Sequence, residues 1–355
     1  MPAYKDKNGK WYASFYATDW TGKRSRKFKR GFNTKREAQE YERKFLCRQT
    51  GDLGMTFGTF VDLYKEDLEG RLKEHTWVMK NHLLDKKILP YFKDKKMNEI
   101  KVSDVIAWQN TMMAHRDENG EPYSPVYLKT IHNQLSAVFN HAVRFYDLSS
   151  NPAAKAGNMG KEKAKEMLFW TKEEYLKFSE AIMDNPTAFY AFEILYWCGL
   201  RLGEMLALTI EDFDFEKQTL RINKSYQRIK GQDVITDPKT LKSNRTVQMP
   251  QFLCDEIQEY IKSIYGIGEK DRLFQVSKTA LHYTMRKGAK DADVKKIRIH
   301  DLRHSHVSLL IDMGFTALAI ADRVGHESID ITYRYAHLFP SKQIEIAQKL
   351  DLERT

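Results

Sequence analysis

The stretch HDLRHSHVSLL, residues 300–310, places three histidines and an arginine beside an apolar run. Buried cationic side chains need partners, so these residues could reach solvent, bind a metal or hold an anion. His300 and Arg303 are three residues apart and share one face of a helix. The forked guanidinium of arginine can bind two oxygens of one oxyanion. His304 and His306 are equally well explained as histidines that fill a core.

A metal site is an alternative interpretation of the same histidines. His304 follows His300 by four residues, which is the spacing of two ligands on one helix face. The stretch HDLRH nevertheless lacks the glutamate of an HExxH site, and no cysteine or acidic residue follows at a ligand spacing. An oxyanion therefore remains the other candidate ligand.

Two further basic residues carry weaker signals. Arg201 follows Gly199 in CGLRLGEMLALT, and an arginine in such an apolar stretch needs an anionic partner, which Glu204 can supply. By itself this pair is a salt bridge at a helix start. Lys239 follows Pro238 at a predicted hairpin turn in TDPKTLKSNRTVQMP, where its ammonium could project over a site or lie in solvent.

A second histidine-containing stretch, VGHESIDITYRYAHL, carries two tyrosines near its end. His326 follows Gly325, just after a predicted helix end. Each residue turns by about 100° around a helix, so Tyr333 and Tyr335 face nearly opposite directions. Only one of them can share a site with His326, and taken alone both are explained as packing aromatics.

In their order along the chain, these residues resemble the signature of the tyrosine recombinases, the phage integrase family. That family carries an arginine in a GLR-x-x-E stretch, a lysine in a β-turn, an HxxR pair, a histidine or tryptophan after glycine, and a tyrosine shortly before a terminal histidine. The nine-residue step between the last two positions selects Tyr335 over Tyr333, while Lys242 competes for the lysine position. The matching residues are Arg201 with Glu204, Lys239, His300 with Arg303, His326 and Tyr335.

The resemblance implies a site-specific recombinase that integrates and excises a mobile element, either a prophage or a conjugative transposon. Tyr335 would attack the scissile phosphate and form a 3′-phosphotyrosyl intermediate, without ATP, metal or other cofactor. Arg201 and Arg303 would neutralise the non-bridging oxygens, and Lys239 would protonate the departing 5′ oxygen. The two histidines of the signature would complete the phosphate cage or move protons.

Charge is concentrated at the start of the chain. The 355 residues have a net charge of +10, and residues 1–50 hold 14 Lys/Arg against 5 Asp/Glu, a net +9. Aromatic residues are interleaved with these charges, which is unusual for a solubilising tail, so a folded nucleic-acid-binding module is predicted. The resemblance implies that it binds arm sites. Its candidate DNA contacts are Arg24, Arg26, Lys27 and Lys29.

The predicted fold class is multidomain. Residues 1–50 are expected to form a small sheet and a helix capped by Thr34 and Glu37. Residues 56–150 are predicted to be an all-helical core-binding bundle. Residues 167–355 are predicted to be a mainly α, α+β catalytic domain with a small sheet.

Local signals predict how these domains are joined and how helices of the bundle begin and end. Segments 51–58 and 149–167 are predicted linkers because they are polar and rich in small residues. Within the bundle, Pro90 is expected to end a helix, Ser103 to cap the next, and Pro125 to take the first position of the longest.

The expected partners are double-stranded DNA with core and arm attachment sites, and three further copies of the chain on that DNA. A DNA-bending protein or an excision factor is a further candidate. Three cysteines without paired spacing favour a reducing compartment. No apolar signal segment begins the chain, and the most apolar stretch, 188–200, contains Glu193 and is too short for a membrane span. We therefore expect a soluble cytoplasmic protein of a bacterial host, without membrane association.

Two other classes of function remain open. A non-catalytic DNA-binding regulator would explain the charge, but not six reactive residues in order. A metal-dependent nuclease using His300, His304 and His306 would lose activity with a chelator. The C-terminal segment, residues 341–355, carries apolar residues that could dock on its own domain or on a neighbouring subunit.

Overall fold

The computed structural model describes residues 3–7, 9–18, 24–50, 53–159, 167–237, 241–333 and 335. The chain forms two compact units, Met1–Ala164 and Lys165–Thr355. Lys239 and the segment 341–355 lie outside the described residues, so the predictions made for them stay predictions. Among the helices that are described, none combines the length and apolar character needed to cross a membrane.

The first unit begins with an antiparallel sheet packed on one helix. Its strands, in spatial order, are β1 (Ala3–Lys5), β2 (Trp11–Thr18) and β3 (Arg24–Phe32), and α1 (Lys35–Thr50) follows. Ala13 and Phe15, at alternate positions of β2, are buried against α1 together with Ala38. Thr34 Oγ1 accepts from the Glu37 backbone at 3.2 Å, and the Glu37 carboxylate accepts from the Thr34 backbone at 3.4 Å. The predicted cap is therefore confirmed.

The rest of the described first unit is helical, as the sequence predicts. Phe57, Phe92 and Trp108 are fully buried in its core, and the rings of Phe57 and Phe92 lie 5.5 Å apart. α6 begins with Pro125 after Ser124, whose hydroxyl accepts from the Tyr127 backbone, so the predicted start of this helix is confirmed. The α-helices are α2 (Phe57–Leu68), α3 (Glu74–Leu83), α4 (Leu89–Phe92), α5 (Val102–Ala114), α6 (Pro125–Phe145) and α7 (Pro152–Ala156).

Two helix boundaries in this unit differ from the prediction. Pro90 does not end a helix. It follows a π-helical turn and lies in the first turn of α4, where a backbone N–H has no intrahelical acceptor and proline is therefore tolerated. Ser103 does not cap α5, which already begins at Val102. The Lys101 backbone N–H instead donates to the Asp104 carboxylate at 2.8 Å, so an acidic side chain in the first turn holds this start.

Both predicted linkers contribute packed residues. Leu53 and Met55 are buried in the core of the bundle. α7 lies within the second linker, where the Asn151 side chain caps it and Ala153 is fully buried. Each segment contains few apolar residues, so it shows no hydrophobic periodicity from which its packing could be predicted. The division of this unit into domains at 1–50 and 56–150 stays a prediction.

The described part of the second unit mixes helices with two small sheets, where the sequence predicted one. The strands are β4 (Phe213–Asp214), β5 (Thr219–Ile222), β6 (Ser225–Ile229), β7 (Gln232–Thr236) and β8 (Arg245–Gln248). One sheet has the order β4-β5-β8, and β6 pairs with β7 in a separate hairpin. The helices are α8 (Lys172–Ala181), α9 (Pro186–Trp197), α10 (Leu202–Met205), α11 (Gln251–Ser263), α12 (Lys278–Asp291), α13 (Asp301–Asp312), α14 (Ala317–Val324) and α15 (Ile329–Tyr333).

The apolar helix α9 is the centre of this unit, and it delivers the chain to the candidate site. Its buried Glu193 accepts hydrogen bonds of 2.8 Å from Tyr175, Ser179 and Trp197, which satisfy the carboxylate inside the core. The helix ends before Gly199, whose φ of 63° is the left-handed conformation that glycine tolerates. Arg201 follows directly.

Candidate active site

Three segments of the second unit bring together most of the residues that the sequence singled out. Arg201 precedes α10, Arg303 lies in the first turn of α13, and His326 follows α14. Arg201 Nη2 lies 3.4 Å from the carbonyl oxygen of Gly325, and an Arg303 guanidinium nitrogen donates to the carbonyl of Val324. Tyr335 completes the group from beyond α15, through a contact with α13.

Arg201 is held in place by a buried carboxylate. Its Nη1 donates to Glu204 Oε1 at 2.6 Å, and its backbone N–H donates to Glu204 Oε2 at 3.0 Å. Burial alone would raise the pKa of Glu204, but the charges of Arg245 and Arg201 together lower it. Glu204 is therefore ionised, and the half-exposed Arg201 guanidinium retains an open side.

Arg303 is a buried cation, and no carboxylate of the described residues accepts a hydrogen bond from it. It is 3% exposed, and its guanidinium donates to the carbonyls of Gly199, at 2.9 Å, and Val324. Burial, followed by the charges of Arg201 and Arg245, lowers its pKa to about 9. Carbonyl dipoles only partly offset a buried charge, so this site is electrostatically prepared for an anion.

Tyr335 is buried and its hydroxyl contacts Nδ1 of His304. On the other side of the imidazole, His304 Nε2 lies 3.8 Å from Asp301 Oδ1. Burial, followed by the charge of His300, lowers the pKa of His304 to about 4. The imidazole is therefore neutral near pH 7. Tyr333, in contrast, is 53% exposed.

The other histidines of the signature flank this pair. His326 follows Gly325, and its Nδ1 lies 2.8 Å from Thr332 Oγ1. Burial, then the charges of Arg303 and Arg201, lower the pKa of His326 to about 3. His300 is exposed at the edge of the group, with its ring 5.2 Å from that of His304.

His304 and His306, the two histidines within α13, have different partners instead of one shared ligand. His304 contacts Tyr335, whereas His306 Nε2 accepts from Arg323 Nε at 3.1 Å. Within the described ranges, no group of three or more histidine, cysteine, aspartate or glutamate side chains is arranged to hold a metal ion.

Of the two candidate lysines, only Lys242 lies within the described residues. Lys239 falls in the gap between residues 237 and 241, while the competing Lys242 is exposed on the 3-10 turn Leu241–Ser243. A Cβ added to Gly325 would lie 2.7 Å from the Lys242 carbonyl oxygen. Because Gly325 has no side chain, the turn that carries Lys242 can pack against the backbone directly before His326.

Sequence reasoning missed two residues of this group, His304 as the partner of Tyr335 and Arg245 as a second partner of Glu204. Arg245 Nη2 donates to Glu204 Oε2 at 3.1 Å. The adjacency of His304 to Arg303 was a usable signal, since both belong to one turn of α13. Arg245 offered none, because it stands 41 residues from Glu204 and at no helical spacing from it.

The amino-terminal sheet divides the candidate DNA contacts between two faces. Arg26 pairs with Tyr16 and alternates with Phe28 and Arg30 on the face opposite α1. Lys27 and Lys29 take the intervening positions, and the Lys29 ammonium lies 4.6 Å from the ring centroid of Tyr41 in α1. The side chain of Arg24 lies outside the described part. The open face also carries aromatic rings, with Tyr12 stacked on Tyr4 at 5.4 Å and tilted against Phe28 at 5.0 Å.

Three family models match the chain in sequence order. The arm DNA-binding domain matches residues 2–47, the SAM-like N-terminal domain of phage integrases matches residues 56–113, and the phage integrase family itself matches residues 161–342. The predicted multidomain fold class is thereby confirmed.

Individual relatives agree with these matches. The chain is 31% identical over 339 residues to the ICEBs1 integrase of Bacillus subtilis, covering 90% of each chain. It is 24% identical to a putative prophage phiRv2 integrase of Mycobacterium tuberculosis, covering 97% of this chain and 92% of the relative.

Solved structures share the fold at lower sequence identity. The Tn1549 transposon integrase in complex with a circular intermediate DNA aligns with a TM-score of 0.66 and 20% identity, covering 83% of this chain and 99% of that one. A lambda integrase tetramer bound to a Holliday junction aligns with a TM-score of 0.57 and 18% identity, covering 92% and 96%.

Proposed function

Because the chain belongs to the phage integrase family and is a site-specific tyrosine recombinase, we propose that Tyr335 is the nucleophile of its strand cleavage. The observation that carries this assignment is the contact between the buried Tyr335 hydroxyl and His304. Free tyrosine has a pKa near 10, so attack near neutral pH needs a group that takes the phenolic proton. The neutral His304 imidazole is placed to do so.

We propose the following proton and bond changes. The Asp301 carboxylate, 3.8 Å from His304 Nε2, favours the tautomer with its proton on that nitrogen and leaves Nδ1 to accept from the phenol. The phenolic oxygen forms a bond to phosphorus, the bond from phosphorus to the 5′ oxygen breaks, and the 5′ oxygen takes a proton from a general acid. We propose Lys239 as that acid, with Lys242 as the competing lysine.

Arg201 and Arg303 supply the charge that this step requires. The pentacoordinate transition state carries extra negative charge on the non-bridging oxygens, and preorganised donors stabilise it by about 3 kcal/mol each. Arg201 has an open side, and Arg303 is a buried cation bonded to carbonyls. His300 and His326 would add further donors or move protons at the edges of the same pocket.

The enzyme acts on double-stranded DNA, in integration and excision of a mobile element. We propose three domains, an arm-site domain at 1–50, a core-binding domain at 56–150 and a catalytic domain at 167–355. The exposed Arg26, Phe28 and Arg30 would contact arm DNA. Since lambda integrase is described as a tetramer on a Holliday junction, we propose a homotetramer at synapsis, in the cytoplasm of a bacterial host.

A nicked suicide substrate, which traps the covalent intermediate, tests the nucleophile. We expect Tyr335→Phe to bind core-site DNA with unchanged affinity and to give no denaturation-resistant adduct. Tyr333→Phe is the matched control, because Tyr333 is the exposed tyrosine two residues away, and it should give the wild-type amount of adduct. An adduct that persists in Tyr335→Phe and disappears in Tyr333→Phe would identify Tyr333 as the nucleophile instead. A wild-type protein that binds but forms no adduct would be a regulator instead.

A further inference from the structure

Arg245 is a buried arginine that contacts both sides of the candidate site. Its side chain is 6% exposed, at the first position of β8. Resting on the function proposed above, we propose that Arg245 is a positioning residue of strand cleavage. Through Glu204 it holds the Arg201 guanidinium in the position that contacts the phosphate. It also fixes the turn that leads to His326.

The guanidinium of Arg245 joins three segments of chain. Nη2 donates to Glu204 Oε2 at 3.1 Å, Nε donates to the Arg323 carbonyl at 3.0 Å, and Nη1 donates to the Ser243 carbonyl at 3.2 Å. These acceptors belong to α10, to the end of α14 and to the turn before β8. The guanidinium spreads its donors over three nitrogens in one rigid plane, whereas the donors of a lysine ammonium all lie on a single atom, so lysine cannot reproduce this junction.

Glu204 transmits the effect to Arg201. The carboxylate is 4% exposed, with Oε1 accepting from Arg201 Nη1 at 2.6 Å and Oε2 accepting from Arg245. A carboxylate held on one oxygen presents the other in a fixed direction. Without Arg245, Oε2 would keep the Arg201 backbone N–H at 3.0 Å as its remaining described donor. The Arg201 side chain, 38% exposed, would then have more freedom to leave the phosphate position.

The stem of Arg245 supports the other side of the site. A Cβ added to Gly325 would lie 3.0 Å from Arg245 Cδ, so the backbone before His326 rests on this stem. The Arg323 carbonyl that Arg245 binds lies two residues earlier in the same helix end. Since the hydrogen-bonding groups of Arg245 face protein acceptors and its side chain is buried, it acts through its neighbours and does not touch the phosphate.

Two substitutions and one matched control test this role in the full-length protein. Arg245→Met removes the charge and the fork, while Arg245→Lys keeps the charge. Arg272 is the control, since it also binds two carbonyls, of Leu206 at 3.3 Å and Phe274 at 3.2 Å, and one carboxylate, of Asp233, but has no bond to Glu204. Single-turnover cleavage is measured on DNA-bound enzyme with two suicide substrates. One carries a normal scissile phosphate and the other a neutral methylphosphonate.

We expect both Arg245 variants to bind core-site DNA normally and to cleave the phosphate substrate about 100-fold more slowly, the cost of misplacing a reacting group by about 1 Å. The neutral methylphosphonate has less charge for Arg201 to offset, so the loss on it should be at least about tenfold smaller. Arg272→Met should change both rates by the same small factor. In an Arg201→Lys background, Arg245→Met should add little further loss, because the two residues act as one unit.

Wild-type cleavage of the phosphate, or an equal loss on both substrates, would overturn the positioning role. Additive losses in the double variant would also overturn it. If Arg245→Met fails to fold, Arg245→Lys decides, because it keeps a cation beside Glu204. Failure of the proposed function looks different, since the wild-type enzyme itself would then form no adduct on either substrate.

Discussion

At the scale of single residues, local spacing predicts contacts only within one helical turn. Arg201 and Glu204 are three residues apart and are found 2.6 Å from each other. Tyr335 is buried and Tyr333 exposed, so the two do face different surroundings, but Tyr335 lies beyond the end of α15 and helical rotation is not the reason. Arg245 could not be found in this way, because its position beside Glu204 is produced by the pairing of β8 with β5 and by the end of α14. Its chemistry is a consequence of tertiary structure.

The role of His304 leads to a prediction about pH. If the neutral imidazole accepts the phenolic proton in the wild-type enzyme, as we propose, cleavage should change little with pH above neutrality. His304→Gln removes the base, and the rate near pH 7 should fall by about 100-fold or more. The remaining rate should rise with pH, because hydroxide can then remove the phenolic proton without a positioned base. Single-turnover cleavage between pH 6 and 10 measures this, and a variant with the wild-type profile would exclude His304 as the base.

At the scale of elements, helix starts were predictable where the capping residue and its partner lie within four positions. Thr34 and Glu37 form the expected reciprocal cap of α1, and Thr171 and Glu174 cap α8 in the same way. The failure at Ser103 has a simple physical reason. Several polar side chains stand near that start, and the choice of Asp104 is reinforced by Lys95, whose ammonium lies 2.5 Å from it. Lys95 belongs to the preceding turn and is not part of the local pattern.

The end of α14 provides a prediction for a single element. Gly325 has a φ of 68°, and a Cβ there would lie 2.7 Å from the Lys242 carbonyl. Gly314 has a φ of 83° with nothing within 4 Å of an added Cβ, so it carries backbone strain alone. Gly314→Ala should therefore lower the free energy of unfolding by about 1 kcal/mol and leave cleavage intact.

Gly325→Ala should lower the free energy of unfolding by more than that and should also slow cleavage, because His326 moves with the turn. Chemical denaturation and suicide-substrate cleavage of the two variants separate strain from misplacement of the site. Equal effects of the two substitutions on cleavage would contradict the proposed dependence of His326 on this turn.

At the scale of the whole molecule, composition predicted the kind of partner better than the surface that meets it. A net charge of +9 in residues 1–50 indicates a polyanion, but it does not say which charges face outward together. The alternation of β3 decides this, because Arg26 and Arg30 share the open face with aromatic rings while Lys29 lies over Tyr41 of α1. Strand pairing and helix packing had to be known before these basic residues could be sorted.

Two substitutions with the same change in net charge test that sorting. Arg30→Gln removes a guanidinium that stacks 4.7 Å from the Phe28 ring on the open face, whereas Lys29→Gln removes an ammonium on the α1 face. If the open face contacts phosphates, Arg30→Gln should weaken binding to linear duplex DNA and reduce the slope of log affinity against log salt by about 0.9, one phosphate contact. Lys29→Gln should leave that slope unchanged, because the loss of a distant charge releases no counterion. Equal slopes in the two variants would mean that the number of charges governs binding, and not the face that carries them. As a control, cleavage of a core-site suicide substrate should be unaffected in both variants.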